Sequence, residues 1–178
     1  MEISRIRALR GPNLWSRHTS IEAIVCCSES ECNIDHMPGF EIRLRERFPE
    51  LAMLRPQGHD EAVSMAQALE FAALGLQAQA GCPVTFSRTA PTIEAGTYQV
   101  VVAYSEEAVG RLAFELAAAL CQAAVDAAPF ALDEALERLR ELDEDVRLGP
   151  STGAIVYAAL ARNIPFRRLT EGSMVQFG

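Results

Sequence analysis

One carboxylate, Glu70, stands in the otherwise uncharged segment 64–77, SMAQALEFAALGLQ, where a carboxylate could act as a general acid or base. On a helix, four polar residues of this segment fall within an arc of about 140°: Ser64, Gln67, Glu70 and Gln77. A catalytic carboxylate needs a metal or a second acid or base, and neighbouring Phe71 and Leu74 supply neither. We therefore expect Glu70 to point to solvent along this polar arc.

A second group of reactive side chains is Cys27-x4-Cys32-x3-His36, whose spacing superficially resembles that of metal ligands. A structural zinc site needs four ligands, usually as two close pairs, and the second pair is missing here. We expect incidental thiols in a loop and no bound metal. Of the remaining histidines, His18 is typical of a surface or packing residue, and His59 precedes a predicted helix.

The charge balance limits the classes of partner. The net charge of −8 argues against general nucleic-acid binding. All sixteen basic residues are arginine, which indicates either a GC-rich genome or selection for planar, bidentate recognition of carboxylates. The sequence contains no P-loop, so an ATP site is not expected in it. It has no membrane-spanning run and no signal peptide, and its five cysteines suit a reducing compartment, so the expected location is the cytoplasm.

Hydrophobic patterning predicts the elements that position these residues. Strands are expected at 2–9, 20–27, 83–89, 97–104 and 166–169, with a further strand-like stretch at the end of the chain. Helices are expected within 40–51, from the cap Asp60 to Gly81, at 105–127, at 131–146, and from a Ser151 or Thr152 cap to Asn163. This order predicts an α/β (α+β) fold, a mixed sheet packed with helices, with domains at 1–130 and 131–178.

Three blocks of sequence carry a family resemblance: RALRGPNLWS at 7–16, GTYQVVVAYSEEAVGRLA at 96–113 and LGPSTGAIVYAALARNIPFRRL at 148–169. In this order they closely resemble the N-terminal domain of cyanophycin synthetase. The resemblance implies a parent enzyme that builds a polymer with a poly-aspartate backbone and an arginine on each side chain. Downstream ATP-grasp and Mur-ligase-like domains would use ATP and magnesium, and this domain would need no cofactor. The segment after 170 resembles the entry into the ATP-grasp domain.

The resemblance also implies which residues a hydrolytic member of the family would need. Some members carry a His-x-x-Glu-His helix that binds zinc and cuts the polymer into primers. Here Gln67 and Phe71 stand where the two histidines belong, and Glu70 alone is kept. Gln and Phe cannot hold a zinc ion together, so the resemblance implies a non-hydrolytic variant with no catalytic residue and a vestigial Glu70.

Three functional hypotheses follow. The first is a module that holds the aspartate–arginine polymer, with Arg17, Arg88, Arg167 and Arg168 as candidate contacts. The second is residual peptidase activity based on Glu70 and a non-standard metal site. The third is a purely structural domain that supports the downstream domains or a homo-oligomer. We expect the first and third to apply together, with neither nucleic acid nor membrane as a partner.

Overall fold

A four-stranded sheet forms the centre of the fold. The computed structural model describes residues 1–51, 62–170 and 172–178. The sheet strands are β1 Glu2–Leu9, β2 Ser20–Cys26, β3 Ser87–Pro91 and β4 Thr97–Ala103. They are ordered β1-β2-β4-β3, and every pair is antiparallel. A separate antiparallel pair near the end of the chain consists of β5 Phe166–Arg168 and β6 Val175–Phe177.

Five α-helices complete the described part of the chain. They are α1 Phe40–Arg47, α2 Met65–Ala80, α3 Glu107–Val125, α4 Leu132–Val146 and α5 Pro150–Leu160. The predicted α/β (α+β) class is confirmed, and each predicted strand and helix has an overlapping counterpart. The four-stranded sheet is antiparallel and not mixed, and the strand predicted at 83–89 begins only at Ser87.

The core lies on one face of the sheet, between the strands and the helices α2 and α3. Alternate residues of β2 point into it, and Ile21, Ala23 and Val25 are all fully buried there, as the period of two of a strand requires. Helix α3 is long and apolar enough to cross a membrane by length and composition alone, and no other helix of the described residues is. Its residues Phe114 and Leu120 are fully buried in this core, as in an interior helix.

Two helices begin elsewhere than predicted. Helix α2 begins at Met65 instead of directly after Asp60, because Ser64 and Gln67 form a reciprocal capping box that satisfies the first backbone N–H groups. Residues His59, Asp60 and Glu61 lie outside the described residues. Helix α5 begins at Pro150 with Gly149 as its cap, instead of at Ser151 or Thr152. Proline suits this first helical position because its missing N–H would have no partner there.

Helix α4 packs on the core formed by the preceding residues. Leu139 is fully buried and Leu136 is nearly so, while the acidic residues of the helix other than the half-buried Asp143 are exposed. The amphipathic pattern predicted for this helix is therefore confirmed. The division into domains at residue 130 stays a prediction, and the two sides of that boundary share one hydrophobic core.

Candidate functional site

The polar residues of α2 face the protein interior, which corrects the prediction that they form a solvent-facing arc. Ser64, Glu70 and Gln77 are all less than 9% exposed. The amide of Gln77 donates to the carbonyl of Ala103 at the end of β4, over 3.1 Å. The helix pattern alone could not reveal this, because the sheet offers polar partners to this side of the helix.

Glu70 lies against the inner face of β3. Burial raises the pKa of its carboxyl group, and the hydroxyls of Ser87 and Thr89 partly offset this by favouring the charged form. The Thr89 hydroxyl is buried and, among the described residues, has no hydrogen-bond partner of ordinary geometry. Glu70 is therefore a buried, incompletely solvated carboxyl group, and not a residue of the wet surface.

The two positions beside Glu70 are occupied by side chains with structural contacts. Gln67 accepts hydrogen bonds from the backbone N–H and the hydroxyl of Ser64, at 2.8 and 3.1 Å, so its oxygen is committed to the helix cap. Phe71 is half-buried against the core. Among residues 1–51, 62–170 and 172–178, no three His, Cys, Asp or Glu side chains lie close enough to hold a metal ion.

The opposite, helix-free face of the sheet carries arginines. The strand register places Arg7, Glu22, Val101 and Arg88 side by side across all four strands. Arg5 lies two residues before Arg7 and so shares this face. We call this surface, formed by Arg5, Arg7, Arg88 and the overlying Trp15, the arginine face.

A buried carboxylate anchors the arginine face. Glu22 is only 3% exposed and forms an ion pair with Arg7. The indole Nε1–H of Trp15 donates to the other oxygen of Glu22 over 3.1 Å. Burial by itself would raise the pKa of Glu22, but the hydrogen bonds from Arg7 and Trp15 and the charges of Arg7 and Arg5 lower it overall. The carboxylate thus fixes the position of the indole ring.

Arg88 lies over that ring, with its Cζ atom 5.8 Å from the ring centroid. This is the geometry of a cation–π contact. Arg88 is exposed and forms no ion pair with any other described residue, so its guanidinium is oriented but not neutralised. A positioned, unpaired guanidinium on an open sheet face can accept a carboxylate as a bidentate ligand.

The other predicted arginines lie in different surroundings. Arg17 is exposed and lines a cleft of about 1000 Å³ at the end of the sheet. Arg167 is exposed on β5. The guanidinium of Arg168 pairs with Glu106 at 2.8 Å and donates to the carbonyl of Val146 at 2.6 Å, so it holds β5 against the main body.

The structure therefore brings Arg88 together with four residues that the sequence does not single out as candidates, namely Trp15, Glu22, Arg5 and Arg7. A period of two in ISRIRAL would have placed Arg5 and Arg7 on one face of the first strand. No pattern in the sequence joins Trp15 to Arg88, because the contact depends on the order of strands in the sheet.

Fold and surface together define a two-layer α/β domain with helices on one face of its sheet and fixed arginines on the other. The family model described as the cyanophycin synthase-like N-terminal domain matches residues 23–126. That match covers more than half of the chain, and the chain belongs to this family.

Three relatives illustrate the similarity, and each is called a cyanophycin synthetase. Those of Trichormus variabilis and a Nostoc species are 37% identical over 193 residues, covering 100% of this chain and 21% of theirs. That of Crocosphaera subtropica is 37% identical over 194 residues, covering 100% of this chain and 22% of its own. The chain spans about a fifth of the length of these relatives.

Proposed function

We propose that this domain holds the growing aspartate–arginine polymer of a cyanophycin-synthesising ligase in the cytoplasm and performs no chemistry itself. Ligation would occur on ATP-grasp and Mur-ligase-like domains of the longer protein, with ATP and magnesium bound there. The family membership and the similarity to cyanophycin synthetases support this assignment. The polymer contact is argued from the arginine face.

One observation carries the proposal: Arg88 is held over Trp15 and has no acidic partner among the described residues, in a chain whose net charge is −8. An unpaired arginine on an acidic protein is a local site of positive potential. The hydrogen bond from Trp15 to Glu22 fixes the indole ring on the sheet beneath Arg88. A carboxylate ligand would therefore bind to Arg88 without the entropy cost of first ordering these side chains.

The polymer supplies the matching group. Ligation through an acyl-phosphate consumes the α-amino group of arginine, so each attached arginine keeps its own carboxylate and its guanidinium. The polymer therefore presents carboxylates at regular intervals, and each can form a fork-shaped pair with a guanidinium. Several weak contacts of this kind along one chain increase the overall affinity by multivalency.

Binding of synthetic aspartate–arginine oligomers to the domain tests the proposal. We expect binding at low salt that weakens as salt rises, since exposed ion pairs are screened over about 10 Å at 0.1 M ionic strength. Arg88→Ala should weaken binding about tenfold, the loss expected for one charge-assisted contact. Arg138→Ala is the matched control, because Arg138 is an exposed arginine on α4, away from the sheet.

The result that would overturn the proposal is no detectable binding at low salt. Equal losses of affinity in the Arg88 and Arg138 variants would also contradict it, since general electrostatic attraction would then explain the binding.

A supporting role for the C-terminal unit is a second candidate function. Ile155 and Tyr157 on α5 are 60% and 59% exposed, and Met174 is 59% exposed. Exposed apolar side chains in one unit are typical of a surface that packs against another part of a protein. Ile155→Ser should then make the 178-residue chain more soluble while it weakens association with the remainder of the parent enzyme; an unchanged association would reject this role.

A further inference from the structure

A cleft at one end of the sheet contains charged groups that the arginine face does not explain. Its volume is about 1000 Å³, and it lies between the end of the central strands, the C-terminal ends of α2 and α4, and helix α5. Residues from each of these elements line it, including Gly81, Phe86, Ser105, Asp143, Arg147 and Tyr157. A cavity of this size can enclose a small organic group.

Asp143 is the most informative group in the cleft. Its carboxylate is half-buried and forms no ion pair with another described residue. The nearest polar contact is the thiol of Cys82, at 4.0 Å from Oδ1, which is a weak donor. The carboxylate therefore has hydrogen-bonding capacity left for a ligand.

The surroundings of Asp143 favour a cation. Asp143 and Glu144 lie in the last turn of α4, which carries no basic residue, although the negative end of a helix dipole favours cations there. The C-terminal end of α2 meets the same cleft at Gly81. Arg147 also lines this wall, where it pairs with Glu144 at 3.9 Å and its charge acts on Asp143. The groups that favour a bound cation here are therefore the Asp143 carboxylate, which has no ion-pair partner among the described residues, and the two helix C-termini.

Other groups match an organic cation better than a bare ion. The Ser105 hydroxyl is buried beside the cleft and, within the described residues, lacks a hydrogen-bond partner of ordinary geometry. Phe86, Val156 and Tyr157 provide apolar walls. Arg17, an exposed arginine with no described ion-pair partner, also lines the cleft and can accept a carboxylate. The set of donors, acceptors and walls fits a guanidinium on a short aliphatic stem that ends in a carboxylate.

We propose that this cleft binds a single arginine side unit of the polymer, with its guanidinium on Asp143 and its carboxylate toward Arg17. This inference rests on the proposed function, because it takes its ligand from that polymer. The cleft then binds one arginine side unit, and the arginine face binds carboxylates of neighbouring units. The domain would therefore bind arginylated polymer more tightly than bare polyaspartate.

Calorimetry at low salt with one aspartate–arginine unit tests the cleft. A unit carrying citrulline is the matched ligand, since it replaces the charged guanidinium with a neutral urea of the same shape. We expect the arginine unit to bind the chain at least tenfold more tightly than the citrulline unit, the difference expected for charge-assisted hydrogen bonds. Equal affinity for the two units would overturn the inference.

Variants then locate the site. Asp143→Asn should reduce the affinity for the arginine unit about tenfold and leave the citrulline unit unaffected. Glu141→Gln, which removes the same charge from an exposed position of α4 outside the cleft, should change neither. Wild-type binding by the Asp143 variant would reject the site. If that variant does not fold, as judged by circular dichroism, Arg17→Ala replaces it. Because Arg17 would bind the carboxylate that both units carry, this variant should reduce the affinity for both units about tenfold, and unchanged affinity would reject the site.

The two proposals fail differently. Loss of oligomer binding in Arg88→Ala with no effect of Asp143→Asn would leave the polymer-holding function and remove the cleft. Asp143-dependent binding of the single unit, with no binding of the oligomer, would leave the cleft and remove the polymer-holding function.

Discussion

Two buried glutamates lie on opposite faces of the same sheet, and their replacement by glutamine should have opposite pH signatures. Glu22 is 3% exposed beneath Trp15, and Glu70 is 6% exposed against β3. Glutamine keeps the size of each side chain and removes the charge. The comparison therefore separates a carboxylate that is stabilised by its partners from one that is not.

The expected loss for Glu22→Gln follows from its hydrogen bonds. Hydrogen bonds to a charged group contribute roughly 1.5–3 kcal/mol and neutral ones roughly 0.5–1.5, so two bonds lose about 2 kcal/mol in total. Arg7 is 47% exposed, which weakens its share by solvent screening. We therefore predict that Glu22→Gln lowers the free energy of unfolding by about 1 kcal/mol at neutral pH.

The pH dependence of this loss has a definite sign. Arg7, Trp15 and the Arg5 charge lower the pKa of Glu22 against the opposing effect of burial. A lowered pKa contributes stability above the ordinary value, and this contribution disappears as the pH falls through the folded-state value. The stability difference between wild type and Glu22→Gln should therefore be largest at neutral pH and shrink in acid.

Glu70 should behave in the reverse manner. Burial raises its pKa above the ordinary value of 4.5, in spite of Ser87 and Thr89. The contribution of such a group to stability is complete below the ordinary value and is lost as the pH rises through the folded-state value. Glu70→Gln should therefore be at least as stable as wild type at neutral pH, and this advantage should disappear at about pH 4.

Urea unfolding followed by circular dichroism, at several pH values between about 4 and 7, measures both effects. Each variant is compared with wild type at the same pH, so that the other titrating groups cancel. Parallel pH profiles for the two variants, or a neutral-pH loss of several kcal/mol in Glu70→Gln, would refute this assignment of partners.

Three further substitutions test the packing. Leu139→Ala should reduce the free energy of unfolding by about 2–5 kcal/mol, because Leu139 is fully buried in the shared core. The whole chain should still unfold in a single transition. A separate unfolding transition for residues 131–178 would instead show an independent domain. Gly110→Ala should lower the free energy of unfolding, measured with urea, by roughly 1–2 kcal/mol, because the added Cβ would lie 2.7 Å from the Cβ of Tyr104. Unchanged stability would mean that α3 can move away from the sheet. Arg168→Met should lower the free energy of local opening of β5 and β6 by about 2 kcal/mol, because it removes the ion pair with Glu106 and the hydrogen bond to Val146. Amide exchange should become faster in β5 and β6 and stay unchanged in β2. The same change of exchange rate in all three strands would contradict this anchoring role.

The regular elements were predictable because their signals are local. The alternation in SIEAIVC identifies β2, and the repeated leucines of α4 identify its buried side. The start of α2 was misplaced because two residues could serve as its cap, and the Ser64-x-x-Gln67 capping box was the stronger signal. The start of α5 differs from the prediction for a similar reason, since Ser151 and Thr152 are good caps but Pro150 suits the first helical position better.

The surroundings of the site residues were less predictable, because they depend on contacts between distant elements. The polar residues of α2 fit a solvent-facing arc until Ser87 and Thr89 are known to lie opposite Glu70. Arg88 lies within the strand predicted at 83–89, but its contact with Trp15 joins residues 73 positions apart in the chain. The family resemblance, by contrast, depended on continuous blocks of sequence and is confirmed by the family match.

The fluorescence of Trp15, the single tryptophan of the chain, tests the central claim most directly. Its indole ring lies beneath Arg88 and donates to Glu22, so a carboxylate that engages Arg88 must change its surroundings. We predict a saturable change in Trp15 emission on titration with aspartate–arginine oligomer at low salt, reversed by added salt and absent in Arg88→Ala. Calorimetric binding of the same oligomer with no change in Trp15 emission would contradict the claim that the polymer lies on the arginine face.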